Sequence, residues 1–391
     1  MRPASRLVGL FAYSLISIPA IFAQTNPPAP DAREFVTHDP RMLTKSDDRA
    51  EAVALLERAR QKSNLRDVTA PYTLRVSFET SGATQLEGKG TLEQLADGEG
   101  HQRWAAQVGD WQVTRVATGT HIYSTNPDEP IPLRIQMVRS AVLAPIPENP
   151  ESYTMRQATV KRDGMTMSCV LESGSIGAYA PPRAWTETEY CVDTATDLLR
   201  MWSEAPGIFA IYDYDGATEL QGHVLPRQIS IFQEGKLIVQ IRIDSLDDSH
   251  EIDPNLFIPT QEMLDAGDTF ALGLPNRFPL RVDPSNAPTS SYFQPVIVHA
   301  ILDAQDGSVL DAEPIQNYDP ALSAAAMDLL SHAAFPPLGF QREVFINVQF
   351  HLPASAVNGP PIIHTSVQVH WRILDREVRV APPRRPRRVA K

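Results

Sequence analysis

This chain of 391 residues is short of cysteine, glycine and positive charge, and its one long apolar run lies within the first 23 residues. Cys169 and Cys191 are its only cysteines, so no lipid-modified cysteine can follow that apolar run. Redox chemistry of the C-x-x-C kind lacks its spacing. In an oxidising compartment, a pair 22 residues apart is most simply one disulfide bridging neighbouring strands. The 20 glycines are outnumbered by 34 prolines, which stiffen loops and strand edges and leave few long interior helices. Asp and Glu, 47 in all, exceed the 35 Lys and Arg; a net charge of −12 opposes nucleic-acid binding and repels anionic membranes. What is present, 42% hydrophobic and 21% charged residues, is ordinary for a soluble globular protein, and the length suits two or three domains of roughly 150 residues.

The N-terminus reads as a targeting segment. Arg2 and Arg6 lead an apolar run from Leu7 to Ala23 that contains Pro19 and falls short of the ~20 residues of a membrane span. With Ala23 ahead of a candidate cleavage point, residues 1–23 are expected to be a signal peptide, which makes the protein periplasmic or secreted. The alternative is an uncleaved anchor in the inner membrane formed by residues 7–23. Charge is uneven at the other end: Arg372 to Lys391 holds eight Lys/Arg and two Asp/Glu, leaving −18 on residues 1–371.

After a proline-rich leader, residues 24–45, Ser46 is expected to cap a helix with Ala52, Leu55, Leu56 and Ala59 on one face. From Tyr72 the period changes to two. Tyr72, Leu74, Val76 and Phe78 alternate with Thr73, Arg75, Ser77 and Glu79, the mark of an antiparallel strand with one wet face. Ten or more such runs reach Leu246, separated by turns such as Asp97-Gly98, Asp163-Gly164 and Glu234-Gly235 and interrupted by a helix near Ile131 to Leu143. Residues 46–249 are therefore read as one large antiparallel sheet with covering helices, and the aperiodic, proline-bearing stretch 250–292 as a linker. Beyond it, Val296 to Leu302, the turn Asp306-Gly307 and Ser308 to Ile315 make a hairpin. Pro320 opens a helix with Leu322, Ala326 and Leu330 on its apolar stripe; Val344 to Leu352 and Ile363 to Ile373 alternate as two further strands. Residues 375–391 form a basic Pro/Arg-rich tail.

The strings PVIVHAILDAQDGSVLDAEPI, NYDPALSAAAMDLLSHAAFPP and EVFINVQFHL, spanning Phe293 to Leu352, resemble the TonB C-terminal domain, a β-β-α-β module. The match rests on the turn at Asp303 to Gly307, the alanine-rich helix, the Phe335-Pro336 pair and the strand Val344 to Leu352. The resemblance implies that 293–374 is a docking domain whose last strand takes up a partner peptide by strand addition. Val344, Ile346, Asn347, Val348, Gln349, Phe350 and His351 then carry partner binding, with Asn347, Gln349 and His351 on the exposed face. The partner implied is an envelope protein, such as an outer-membrane receptor. Residues 46–246 are similar in pattern to the half-barrels of periplasmic lipoprotein carriers of the LolA and LolB type, which implies a lipid or other hydrophobic ligand in the concavity. Departures from the TonB pattern weigh against energy transduction. The apolar run has Ser14 and Ser17 but no histidine, the long periplasmic spacer is missing, and the strand Ile362 to Ile373 has the length to cover the docking edge.

Motifs of chemistry are missing too. Gly82 to Lys89 has five residues between its glycines where a phosphate loop needs four, and no G-x-S-x-G elbow or H-E-x-x-H pair occurs. His364 and His370 share a strand face but lie roughly 20 Å apart. His299 and His351 have no third ligand. The expectation is an α+β protein without catalytic, cofactor or metal residues: a half-barrel-like sheet followed by a small β-β-α-β(-β) domain, exported, binding a protein by strand pairing. The alternatives are an anchored energy transducer and a carrier of a hydrophobic ligand.

Overall fold

Period-two burial builds most of the chain. The structure is a computed structural model that describes residues 40–82, 86–118, 121–127, 131–147, 150, 154–162, 164–173, 183, 185–248, 252–270, 292–303, 305–316, 320–333, 335–336, 341–352 and 367–373. The side chains of 268–270, 292–295, 316, 349, 351–352 and 367–373 lie outside that description, as do the expected signal peptide, His364 and the basic tail. In chain order the elements are β1 (Arg41–Met42), α1 (Ser46–Ser63), β2 (Tyr72–Thr80), β3 (Gly88–Ala96), β4 (His101–Val108), β5 (Trp111–Thr118), β6 (His121–Ser124) and α2 (Leu133–Leu143). Then come β7 (Thr154–Arg162), β8 (Met165–Ser173), β9 (Thr188–Asp193), β10 (Leu199–Ala205), β11 (Ile208–Asp213), β12 (Thr218–Leu220), β13 (His223–Leu225), β14 (Gln228–Gln233) and β15 (Lys236–Asp247). The last are α3 (Gln261–Ala266), β16 (Asp268–Phe270), β17 (Tyr292–Leu302), β18 (Val309–Gln316), α4 (Pro320–Ser331), β19 (Arg342–Leu352) and β20 (Val367–Ile373).

Fourteen strands form one antiparallel sheet in the order β1-β7-β8-β9-β10-β11-β14-β15-β2-β3-β4-β5-β6-β16. Two meanders, β2–β6 and β7–β11 continued by β14 and β15, are thus joined through the pairing of β15 with β2, which sets Ile241 opposite Phe78 and Ile243 opposite Val76, while β12 and β13 pair only with each other. On β2 the alternation places Leu74, Val76 and Phe78 in the core and leaves Arg75 and Glu79 exposed. Cys169 and Cys191 stand directly opposite each other on β8 and β9 and form a disulfide. They pack with Met167 and Met201 in a small cluster of their own, separate from the main core that takes in Val170 and Tyr190 on the other face of the same strands.

Helix α1 buries Ala52, Leu55, Leu56 and Ala59 as expected. Its cap differs: Lys45 precedes the first turn without a side-chain cap, and Ser46 is already helical, its hydroxyl donating to Asp47 Oδ1 at 3.2 Å. The acidic Asp47 and Asp48 favour that end through the helix dipole instead. Helix α2 is buried on most of its circumference, including Arg134, because it lies between the large sheet and the second, smaller sheet. The phenol of Tyr212 on β11 donates to the Ala141 carbonyl (3.1 Å), filling one of the acceptors that a helix end leaves open.

The stretch read as a linker is structured in its first half. Thr260 caps α3 by accepting from the Met263 N–H, Phe257 and Met263 are buried, and β16 pairs with β6 to extend the large sheet. The aperiodicity reflects elements too short to show a period. The smaller sheet has the order β18-β17-β19-β20. On one face Val296, Val298, Ala300, Val344, Ile346 and Val348 pack under Leu322, Ala326 and Leu330 of α4. On the other, Ile297, Ile315 and Phe345 join the core of the large sheet. At the β17–β18 turn Gly307 has φ 71°, and a Cβ there would collide with the Phe335 carbonyl, whose own N–H donates to the Gly307 carbonyl (2.9 Å).

Candidate functional site

The expected docking strand is not free. β19 pairs along its length with β17 on one side, and from Val344 to Phe350 with β20 on the other, so its backbone groups are satisfied twice over. Val344, Ile346, Val348 and Phe350 are buried under α4, and Asn347, expected on an exposed face, has 0% exposure. The physical reason is that the second face of this sheet, which alternation marks as the more polar one, lies against α2 and the large sheet rather than against water. The side chains of Gln349 and His351 lie outside the described residues. His351 pairs with Phe293, six positions along the register from the His299–Phe345 pair, so the two histidines do not meet. Within the small sheet, β18 and β20 are the outer strands among the described residues.

What that hidden face builds is a cavity of about 40 Å³, room for about three waters. Met137 and Ser140 of α2 form one side; Trp202, Glu204, Ile208, Phe209, Ala210 and Ile231 of the large sheet form the second; His299, Glu343 and Phe345 of the small sheet close it. Its lining is mostly apolar and aromatic. The contacts around it are not. Arg134 on α2 donates through Nη1 to Glu313 Oε1 on β18, both side chains being under a tenth exposed. His299 Nε2 lies 2.7 Å from Glu343 Oε1, and the His299 ring stands edge-on to Phe345 at 4.9 Å. Gln233 at the end of β14 donates to the Pro314 carbonyl at 2.7 Å.

Several polar atoms along this junction have no protein partner: Arg134 Nε and Nη2, His299 Nδ1, Gln233 Oε1 and both amide atoms of Asn347. Each such group costs about 1–3 kcal/mol while it stays buried and unpaired. The closed junction is therefore held by a few charged contacts and opposed by a row of unfilled ones. Catalysis by nucleophilic attack would need Ser140 activated by the His299–Glu343 pair. The histidine nitrogen that would serve it, Nδ1, is one of the atoms without a partner, and no hydrogen bond joins Ser140 to His299.

A second buried polar cluster lies on β7–β10, on the disulfide's side of the sheet. Arg156 Nε donates to Glu187 Oε1 at 2.7 Å, and Arg183 reaches Glu189 Oε2 at 3.2 Å and the Ser203 hydroxyl at 2.6 Å. Burial pushes the Glu189 carboxyl up to about 7; Arg183 and Arg156 pull it down and Glu187 pushes it further up. Asp97, Glu99 and His101 also come within 4.8 Å of one another at the β3–β4 turn. There Asp97 already accepts from the backbone N–H groups of Glu99 and His101 and pairs with the His101 ring. Burial raises its carboxyl, but these bonds outweigh that and hold it below the usual range. Of the junction's polar residues the sequence singled out His299 and, for a different role, Asn347; Arg134, Glu313 and Glu343 were missed because each sits in a strand or helix where a lone charge reads as solvated.

Among the described residues no helix is long and apolar enough to cross a membrane. The chain matches no protein-family model, including that of the TonB C-terminal domain, and no curated protein sequence. Solved structures similar to it include a LolA superfamily protein from Nitrosomonas europaea, 11% identical, over 53% of this chain and 96% of that one, with a TM-score of 0.36. A DUF1329 family protein from Desulfovibrio piger is 8% identical over 54% of this chain and 96% of that one, TM-score 0.38. The Pseudomonas aeruginosa MucA/MucB complex matches 83% of this chain and 93% of that one at 10% identity, TM-score 0.28.

Proposed function

We propose that the protein is an exported, non-catalytic binding protein that takes an apolar guest, such as an acyl chain, between its large sheet and its small one. The observation that carries this reading is the junction itself: an apolar and aromatic cavity closed by a polar, incompletely satisfied contact. Contacts of that composition resemble transient interfaces more than permanent cores. At about 40 Å³ the closed cavity is too small for a chain of many methylenes, so uptake requires the small sheet to move off α2. Apolar lining exposed by that movement would bind a chain at about 0.8 kcal/mol per buried methylene, enough to offset separating the few charged pairs that hold the junction closed.

The test uses the full chain. Native mass spectrometry after gentle purification is expected to show co-purifying lipid, and the uncharged probe N-phenyl-1-naphthylamine is expected to brighten on uptake. Ala210→Phe, which fills the cavity, should abolish uptake, and Gln233→Ala, which removes the hydrogen bond to Pro314, should increase it. Empty protein that takes up no probe in any of the three forms would remove the reading. A second reading, strand addition by a protein partner at the outer edge of β20, would be favoured if a protein rather than a lipid co-purified.

A further inference from the structure

The cavity at the junction is apolar over most of its lining but one-sided in the polar groups it presents. Two acids line it, Glu204 of β10 and Glu343 of β19, together with the imidazole of His299 and the aromatic residues Trp202 and Phe345. No lysine or arginine is among its described lining residues. Arg134 lies one turn of α2 away from the lining residue Met137, with its Nη1 at 3.6 Å from the Met137 sulfur. The same Nη1 donates to Glu313, so that charge is matched by a carboxylate that does not line the cavity.

His299 fixes the polarity of what remains. It is 2% exposed, its Nε2 lies 2.7 Å from Glu343 Oε1, and its Nδ1 has no protein partner. Because a carboxylate only accepts, the proton of that contact belongs on Nε2, and a neutral imidazole that donates from Nε2 keeps Nδ1 as a bare acceptor. The cavity therefore offers two carboxylates and a ring nitrogen, all acceptors, with Ser140 as the one hydroxyl that turns either way. Glu343 and His299 are held out of water, where an acceptor without a donor is unfavourable. Glu204 is only half-buried, and it marks where a cation arriving from solvent first meets the site.

We infer that this cavity takes the ammonium head of an amphiphile, whose apolar chain lies between the two sheets. The inference rests on the apolar-guest reading, since it uses the same junction, and adds which head the guest carries. A primary ammonium brings N–H donors and a positive charge, both of which the lining lacks, and its hydrogen bonds to carboxylates are charge-assisted. Aromatic rings are the other kind of lining that favours an ammonium over an anion. At about 40 Å³ the cavity has the size of such a head rather than of a chain. An anionic head would meet Glu204 and Glu343 with no cation among the described lining residues to offset them.

The head has two natural sources, a simple alkylamine and the ethanolamine headgroup of a phospholipid. Displacement of N-phenyl-1-naphthylamine from the full chain by decylammonium, decanol and decanoate, which share one chain length, isolates the head; monomeric dihexanoyl phosphatidylethanolamine is the fourth arm. Decylammonium is expected to displace the probe at roughly tenfold lower concentration than decanol, and decanoate only at higher concentration than decanol. Glu343→Gln and Glu204→Gln should each remove most of that advantage without weakening decanol, and Glu79→Gln, on the exposed side of β2, should leave it unchanged. Tighter binding of the phosphatidylethanolamine than of decylammonium, weakened in the same variants, would assign the phospholipid source; weaker binding assigns the alkylamine. Decanol as effective as decylammonium, in protein that still takes up the probe, would overturn the inference and leave the apolar-guest reading standing, whereas no uptake of any ligand would remove both. An advantage that Glu343→Gln and Glu204→Gln leave intact would also overturn it, by tracing the preference to the overall negative charge of the chain. Glu204→Gln spares the His299–Glu343 pair, so it keeps the test readable should Glu343→Gln fail to fold.

Discussion

The Arg134–Glu313 pair is the junction's strongest contact and the most direct test of how the two sheets are held. Their side chains are 3% and 8% exposed and 179 residues apart in the chain, so neither has water to fall back on when the other is removed. Breaking such a pair from one side leaves a buried, uncompensated charge at a cost of about 3–5 kcal/mol. Arg134→Met and Glu313→Leu should each lose about that much, a large share of the roughly 5–15 kcal/mol typical of a whole domain. The pair is not well satisfied, however, since Arg134 Nε and Nη2 have no protein partner. Removing both charges, as Arg134→Met with Glu313→Leu, therefore removes desolvation together with attraction, and should come out within about 1 kcal/mol of the wild type or above it. With each single variant losing about 3 kcal/mol or more and the double about 1 kcal/mol or less, the cycle predicts a coupling of about 5 kcal/mol or more. Urea unfolding followed by circular dichroism measures all four proteins, and a separate early transition in the single variants would report release of the small sheet before the large one unfolds. Single variants that each lose less than about 1 kcal/mol, or a double variant that loses the sum of the two, would refute the reasoning.

Two further outcomes follow from the polar cluster and the disulfide on β7–β10. Glu189 holds its proton in the folded state up to about 7 against an ordinary value of 4.5, so the unfolded chain ionises first and stability declines as pH rises between those values, by up to about 3 kcal/mol. Glu189→Gln should remove that decline and gain on the wild type above pH 7; parallel unfolding midpoints for the two proteins from pH 4 to pH 8 would count against it. Asp97 and Asp193, held below their ordinary range, act in the opposite sense and only in more acidic solution, outside this window. Replacing both Cys169 and Cys191 by alanine opens a closure of 22 residues and should cost roughly 3 kcal/mol in a thermal or urea melt. An unchanged midpoint would show that the unfolded chain is not restrained by the bridge.

How far the fold was legible depended on whether each element carries its own period. Tyr72–Thr80 and Lys236–Asp247 alternate because one face is wet, whereas Met165–Ser173 is buried on both faces from Met167 onward, between the disulfide cluster and the main core. Residues in β1, β6, β12, β13 and β16 show no period because two to four residues cannot hold one. The pairing of β15 with β2 has no local signal either, since it joins segments more than 150 residues apart in the chain and is selected by the core they share.

The site was less legible for a related reason. Alternation along β17 and β19 tells that the two faces differ, and it identified the apolar face that α4 covers. It cannot tell whether the more polar face meets water or another layer of protein. His299, Glu343 and Asn347 on that face are buried because α2 and the large sheet lie against it. Glu204 is likewise an ordinary surface charge in one dimension, and only the packing of the two sheets puts it in one cavity with Glu343 and His299. Local pattern thus set the strands, the helices and the cysteine pair. The closed junction and its cluster of acceptors came from long-range packing, which depends on contacts between segments that carry no mark of one another.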